Sequence, residues 1–432
     1  MLVSEYKVSF IELLKELSIK IRRNGLVNIS NVCKTDWKES FIEKLKIIVQ
    51  DCNINLLLGS GLSAPYLSTL GNIEQLLTAL ADYKGKGKIT EIQEKIIRAS
   101  IYKKYFSNVI YKNLSILHSN DKTNDVLENY KNLLIYLNSI IFRRKSTILN
   151  KQINLFTTNI DVFLEKSLEE TGLEFNDGFS GRYHSVFDLR NFGKLVFKTS
   201  LHYNNTFELP VFNLFKMHGS LTWEKDRVEI KSREPRIIFS PDLRLIKRIK
   251  KVKIPHNKII HFDNEEEISE LIEKSINITS DVLIDSFITE YEKLAIVNPT
   301  KEKFRETVLN RNYYEILRIY SNELEKENTV LFVMGFSFAD EHIRDITVRV
   351  ANSNPTLKLF VFSFLNEISE GMQILEKESI NSNIEIITPN QFIADEENDR
   401  EFTLNLENIV ENIFIKLLSN DERGFVNKKR ET

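Results

Sequence analysis

The sequence predicts an α/β protein built on a Rossmann-like, mostly parallel sheet, and three observations carry that reading. Short apolar runs recur at residues 54–58, 153–157, 211–217, 236–239, 329–334, 358–364 and 384–388. Helical patterns separate many of them, at 73–148, 162–170, 264–290 and 301–327. Four of the runs end abruptly in Gly, Asn or His, residue types suited to the carboxyl edge of a strand. Strands that alternate with helices pair in parallel, because each helix carries the chain back to the edge it left.

Taken in order, residues 4–23 place Tyr6, Phe10, Leu13, Leu14, Leu17 and Ile21 at helical spacing before Gly25. A second helix at 37–49 leads into the first strand. The region 73–148 is too long for one crossover helix and reads as a helical insertion. A second insertion is expected over 243–327, and one helix at 404–418 precedes a charged tail at 420–432. The expected organisation is N-terminal helices over 1–50, one α/β unit over 51–395, and a helix and tail over 396–432.

Composition narrows the function classes. The chain of 432 residues carries 59 Lys and Arg against 61 Asp and Glu, a formal charge of −2. That balance exerts no global pull on nucleic acid or anionic membrane. Cys33 and Cys52 are the only cysteines, too few for a four-thiolate zinc site or a disulfide framework. The apolar runs fall far short of the ~20 residues that span a bilayer. The opening Met1-Leu2-Val3-Ser4-Glu5-Tyr6-Lys7 lacks the plan of a secretory signal, so a cytoplasmic location is expected.

Four strand ends carry the chemistry. Leu58-Gly59-Ser60-Gly61-Leu62-Ser63 is an apolar strand entering a glycine turn, which suits close approach to a phosphate. Thr158-Asn159-Ile160-Asp161 closes the 153–157 strand with an amide and a carboxylate. Such residues cap helices as readily as they hold a ligand. Met217-His218-Gly219 puts an imidazole at a strand end, where it can accept a proton near neutral pH. His184 and His342 compete for that role but follow a strand less directly. Met334-Gly335-Phe336-Ser337 is a further strand ending in Gly-x-Ser, fit for ribose or phosphate.

Together and in this order the four motifs resemble the sirtuin fold. Gly59-Ser60-Gly61-Leu62-Ser63 is similar to that family's Gly-Ala-Gly-x-Ser loop, and Thr158-Asn159-Ile160-Asp161 to its Gln-Asn-Ile-Asp motif. His218-Gly219 resembles its His-Gly pair, and Gly335-Phe336-Ser337 its late Gly-Thr-Ser loop. Protein-deacylating members carry two Cys-x-x-Cys pairs after the histidine, and no cysteine follows residue 52 here. The pattern is therefore similar to the zinc-free, sirtuin-like NADases of bacterial anti-phage defence.

That resemblance implies that NAD+ is the substrate, with no permanently bound cofactor and no metal. It implies catalytic roles for Asn159, His218 and Asp161, with Asp161 on the nicotinamide side. It also implies NAD+ contacts from Gly59, Ser60, Gly61, Ser63, Thr158, Gly335 and Ser337. The alternatives are a zinc-free deacylase or ADP-ribosyltransferase, and a non-catalytic sensor of NAD+ or ADP-ribose. With the α/β unit running to about residue 395, restraint of an NADase is expected from homo-oligomerisation or from a partner such as a HerA-type ring ATPase. A basic stretch, Arg244 to Lys258, is read as pairing with the acidic run Asp263 to Glu267 or as a solvated face, with nucleic-acid contact at most weak or indirect.

Overall fold

The computed structural model describes residues 29–68, 73–118, 121–145, 148–225, 236–279, 281–297, 311–392, 402–419 and 423. The amphipathic stretch at 4–23 and nearly all of the tail lie outside the described residues. Helix α1 (Ile29–Asp51) leads into strand β1 (Asn53–Leu58). A helical block follows: α2 (Ile73–Gly85), α3 (Glu91–Tyr105), a π turn (Phe106–Ile110), α4 (Asn113–Leu117) and α5 (Asp121–Phe142). Strand β2 (Gln152–Thr157) then hands over to α6 (Phe163–Thr171), which ends where Gly172 takes a left-handed φ of 62°.

Next come β3 (Phe175–Asn176), β4 (Phe179–Ser180), β5 (Val186–Phe187), β6 (Val196–Thr199) and β7 (Thr206–Leu209). They are followed by β8 (Val211–Lys216), β9 (Gly219–Lys225) and β10 (Ile237–Phe239). Helices α7 (Arg244–Lys251), α8 (Ile268–Ser275) and α9 (Val282–Tyr291) precede β11 (Leu294–Ile296). The remainder is α10 (Arg311–Leu324), β12 (Thr329–Met334), α11 (Glu341–Ser353), β13 (Lys358–Phe362), α12 (Glu370–Glu378), β14 (Ile384–Ile387) and α13 (Leu406–Asn412).

Seven strands form the central sheet in the order β14-β13-β12-β1-β2-β8-β3, and every neighbouring pair is parallel. Side chains alternate across such a sheet, and the alternation divides the core cleanly. Ile54, Leu56 and Leu58 of β1 face the helical block with Phe332 of β12 and Phe360 of β13. Leu57, Phe156, Phe215, Leu331 and Val333 face the other way, against Ile316, Tyr320 and Leu324 of α10. Both faces are covered, which accounts for strands that are continuously apolar.

One row breaks the apolar pattern. Asn55, Asn154 and Asn213 sit opposite one another on β1, β2 and β8. Asn213 Nδ2 donates to Asn154 Oδ1 (3.0 Å), and Asn154 Nδ2 donates to Asn55 Oδ1 (2.9 Å) and to Glu323 Oε2 of α10 (3.1 Å). A slip of one residue would turn these amides into the opposite apolar layer, so the row helps fix the register.

The structure departs from the sequence reading in two regions. A five-stranded sheet, β11-β9-β10-β5-β4, with antiparallel pairing, takes up the expected 236–239 strand as β10, outside the parallel sheet, and otherwise uses residues not read as strands. Its β11 falls inside 243–327, so that segment is not purely helical. The helical pattern at 264–290 is two helices, α8 and α9, and the one expected at 404–418 is α13 followed by a 3-10 turn at Phe414–Leu417. Among the described residues, no helix is long and apolar enough to cross a membrane.

Candidate functional site

The four motifs stand at the carboxyl ends of four consecutive strands. Gly335 follows β12, Gly59 follows β1, Thr158 follows β2 and Met217 follows β8, and these strands are neighbours in that order. From β1 the sheet grows one way through β2 and β8 and later the other way through β12 and β13. The β1–β12 boundary is thus a topological switch point, where ligands of open α/β sheets bind.

Backbone contacts draw these ends tight. Gly59 N–H donates to Met334 O (2.9 Å) and Gly61 N–H to Gly335 O (2.9 Å). A Cβ on Gly59 would stand 2.3 Å from Gly335 O, so only glycine lets the two turns touch. Leu62 and Ser63 donate back to Gly59 O and Ser60 O, closing a single 3-10 turn at Ser60–Leu62. The glycine turn thus spends most of its N–H groups within the protein. Four N–H groups of this turn already serve protein carbonyls, and what faces outward is the exposed Ser60–Gly61 corner.

Asn159 is 6% exposed. Its N–H donates to Thr157 Oγ1 (3.0 Å), while Thr157 Oγ1 donates to Leu58 O (2.8 Å). Its side-chain Nδ2 donates to Gly59 O (3.1 Å). That carbonyl can only accept, which fixes the amide orientation. Asn159 Oδ1 is left buried with no protein partner. An unpaired buried acceptor costs about 1–3 kcal/mol, a cost that a hydroxyl or water donor would relieve.

Asp161 and Ser63, both expected at the ligand site, are bonded to each other. Ser63 Oγ donates to Asp161 Oδ2 (2.9 Å) and also meets Tyr130 OH (3.0 Å), while Asp161 Oδ1 accepts from Phe163 N–H at the start of α6 (3.1 Å). Both are buried, so they brace the strand ends from behind. Burial first, and the Asp161 carboxylate second, push the Tyr130 phenol well above its ordinary range, so it stays protonated. Tyr130 belongs to α5, which makes the helical insertion part of the site's foundation.

Beneath Asn159 lies a buried ion pair that sequence reading missed. Lys216, the last residue of β8, is 3% exposed and sits 2.9 Å from Glu165 Oε2 of α6. Its Nζ also donates to Asn159 O (3.1 Å) and Asp161 O, gripping the loop by its backbone. Ser220 Oγ completes the group by donating to Glu165 Oε1 (2.7 Å). Burial raises the Glu165 carboxyl above its usual range, with Lys216 the main opposing influence.

His218 occupies the turn between β8 and β9, and Val297 N–H donates to its carbonyl (2.9 Å). Gly219 has a φ of 79°, and a Cβ there would lie 2.1 Å from Ala295 O, so glycine is required. The imidazole Nε2 is 3.3 Å from Asp340 Oδ2, with side chains 17% and 11% exposed. Asp340 Oδ1 meanwhile caps α11 by accepting from His342 and Ile343 N–H (3.2 and 3.4 Å). Asp340 is a further residue that sequence reading missed, because it reads as an ordinary cap. Ser337 is exposed beside it, and Thr158 and Gly335 are half-buried. His184 is exposed, and His342 lies in the first turn of α11, away from a strand end.

The arrangement joins a free buried acceptor (Asn159), an imidazole held by a carboxylate (His218 with Asp340) and exposed hydroxyls on Ser60 and Ser337. A separate polar cavity of about 460 Å³, lined by Glu325, Arg349, Ser353 and Asn354, contains none of these residues. Its groups are largely satisfied: Arg349 donates to Ser321, Ser321 to Glu325, and Asn354 to two carbonyls. The strand-end cluster is the better candidate because it holds the unpaired acceptor. Comparison with protein-family models and with curated proteins returns no match, so the chemistry assigned to this cluster rests on its geometry and on the motif resemblance.

Proposed function

We propose that this chain hydrolyses NAD+ at the nicotinamide–ribose bond, giving nicotinamide and ADP-ribose. The single observation that carries the reading is Asn159 Oδ1, a buried acceptor without a partner at a topological switch point. A ribose hydroxyl or a reacting water is the donor it suits. The motif resemblance selects NAD+ among ribosides.

Nicotinamide leaves as a neutral molecule from a cationic ring, so the bond needs little acid help. The work lies in positioning water against C1′ and removing its proton. Asn159 orients the ribose or the water, and His218 accepts the proton as the water oxygen bonds to C1′ and the C–N bond breaks. Asp340 holds the imidazole, while Lys216, Glu165, Asp161 and Ser63 keep the loop rigid. Exposed Ser60 and Ser337 are placed to meet the pyrophosphate and adenosine ribose.

A cell that hydrolyses its own NAD+ stops growing, which fits an effector of anti-phage defence held latent by self-association or by a HerA-type ring ATPase. The test is product analysis after incubating the full chain with NAD+, with and without a co-encoded partner. Stoichiometric nicotinamide and ADP-ribose support the proposal. NAD+ that is bound but never cleaved under either condition favours a sensor, and nicotinamide release only with an acylated peptide favours a deacylase.

A further inference from the structure

The stretch from Leu243 to Phe262 contains Arg244, Lys247, Arg248, Lys250, Lys251, Lys253 and Lys258 and no carboxylate. In a chain with a formal charge of −2, this is a strong local segregation of charge. Helix α7 displays it in a fixed array. Leu245, Ile246 and Ile249 are buried (3%, 0% and 0% exposed), anchoring one side, and every cation of the helix lies on the exposed side. Arg244, Lys247, Arg248 and Lys251 follow the three- and four-residue spacing that aligns side chains along one helix face.

Of the two readings open from sequence, pairing with the acidic run or a solvated face, the helix shows the solvated face. Glu266 pairs with Lys274, and on α9, which packs against α7, Asp285 pairs with Lys95 and Glu290 with Lys293. Arg248 reaches Glu290 only at 3.7 Å and Arg244 reaches Asp242 only at 3.9 Å. Among the described residues, Lys247, Lys251 and Lys253 have no carboxylate partner.

The array connects to the strand-end cluster through a short relay of contacts. Lys250 Nζ lies 4.5 Å from the Tyr111 ring, and the next residue, Lys112, donates to Tyr66 O (3.3 Å). Tyr66 N–H in turn donates to Ser63 O (3.1 Å), at the base of the glycine turn.

We infer that the outward face of α7, extended by Lys253, binds the phosphate backbone of a nucleic acid. A row of exposed cations along one helix face, with Lys247, Lys251 and the neighbouring Lys253 free of carboxylates, is the electrostatic footprint of such a partner. A bilayer is disfavoured, because the apolar side of α7 is spent inside the protein and cannot insert. This surface is independent of NAD+ cleavage, and binding is measured without it.

The test is fluorescence anisotropy of the full chain with a labelled mixed-sequence DNA duplex across a salt series. One variant carries Lys247→Glu, Lys251→Glu and Lys253→Glu, and a milder one carries Gln at the same three positions. Wild type is expected to bind with a log–log salt slope about 3 units steeper than that of the Gln variant, since each phosphate neutralised adds about 0.9 to the slope. The Glu variant is expected to bind more weakly still, with circular dichroism unchanged in both. No binding by wild type at low salt, undiminished binding by both variants, or equal affinity for phosphatidylserine vesicles would overturn the inference.

Discussion

The side-chain amide of Asn159 donates to the carbonyl of Gly59 across 3.1 Å, so one polar group spans the ends of β1 and β2. The same contact dictates which atom is left over. With Nδ2 committed to a carbonyl, Oδ1 is the atom left without a protein partner. The site's geometry and its proposed chemistry thus depend on a single amide.

Asp340 stands in the same relation to His218. Replacing Asp340 by Asn preserves a good N-cap for α11 while removing the charge beside the imidazole. We expect Asp340→Asn to lower kcat for NAD+ cleavage about tenfold or more, with KM and thermal midpoint little changed. A fall in stability with unchanged kcat would identify Asp340 as a cap and nothing else.

The Lys216–Glu165 pair yields a stability prediction. Lys216→Met leaves the buried Glu165 carboxyl without its cation, and is expected to cost about 3–5 kcal/mol in urea denaturation. Adding Glu165→Gln should recover a large part of that loss. A double variant no more stable than the single one would contradict the pairing.

The touching turns predict a steric effect. Gly59 has a φ of −107°, which any residue tolerates, so Gly59→Ala tests the 2.3 Å approach of its Cβ to Gly335 O without backbone strain. A loss of about 2–3 kcal/mol is expected, from separation of β1's turn from β12's. An unchanged melting temperature would show that the turns do not touch.

Lys38 predicts a pH dependence. Burial, reinforced by nearby Lys416, lowers its ammonium from 10.5 to about 8. The folded state then binds fewer protons than the unfolded chain between those values, so stability should rise as pH increases through that window. Lys38 is only half-buried, so solvent screens the effect to about 1 kcal/mol. Urea midpoints at pH 7 and pH 9.5 should diverge in wild type and converge in Lys38→Met. Equal pH responses in the two proteins would count against the shift.

Much of the fold was legible because the central strands are buried on both faces and read as unbroken apolar runs. The 329–334 run coincides with β12, and the six others match β1, β2, β8, β10, β13 and β14 to within two residues at either end. The second sheet was legible only at β10, which the 236–239 run marks, since β4, β5 and β11 are two or three residues long and too short to show alternation. Asn159 was legible as a polar group at one strand end, and His218 as an imidazole at another. Their supports were hidden for chemical reasons. Lys216 is a cation within an apolar strand, Tyr130 lies on an ordinary amphipathic helix, and Asp340 looks like any cap. The Asn55–Asn154–Asn213 row was visible only once the register of three strands was known.

The most direct test compares nicotinamide release from NAD+ by wild type and by Asn159→Ala, each assayed as the full chain with and without a co-encoded protein and checked by thermal melting. The prediction is turnover by wild type in at least one condition and a loss of about 100-fold or more in Asn159→Ala, with its melting temperature nearly unchanged. Turnover retained by a well-folded Asn159→Ala, or none by wild type in either condition, would contradict the account.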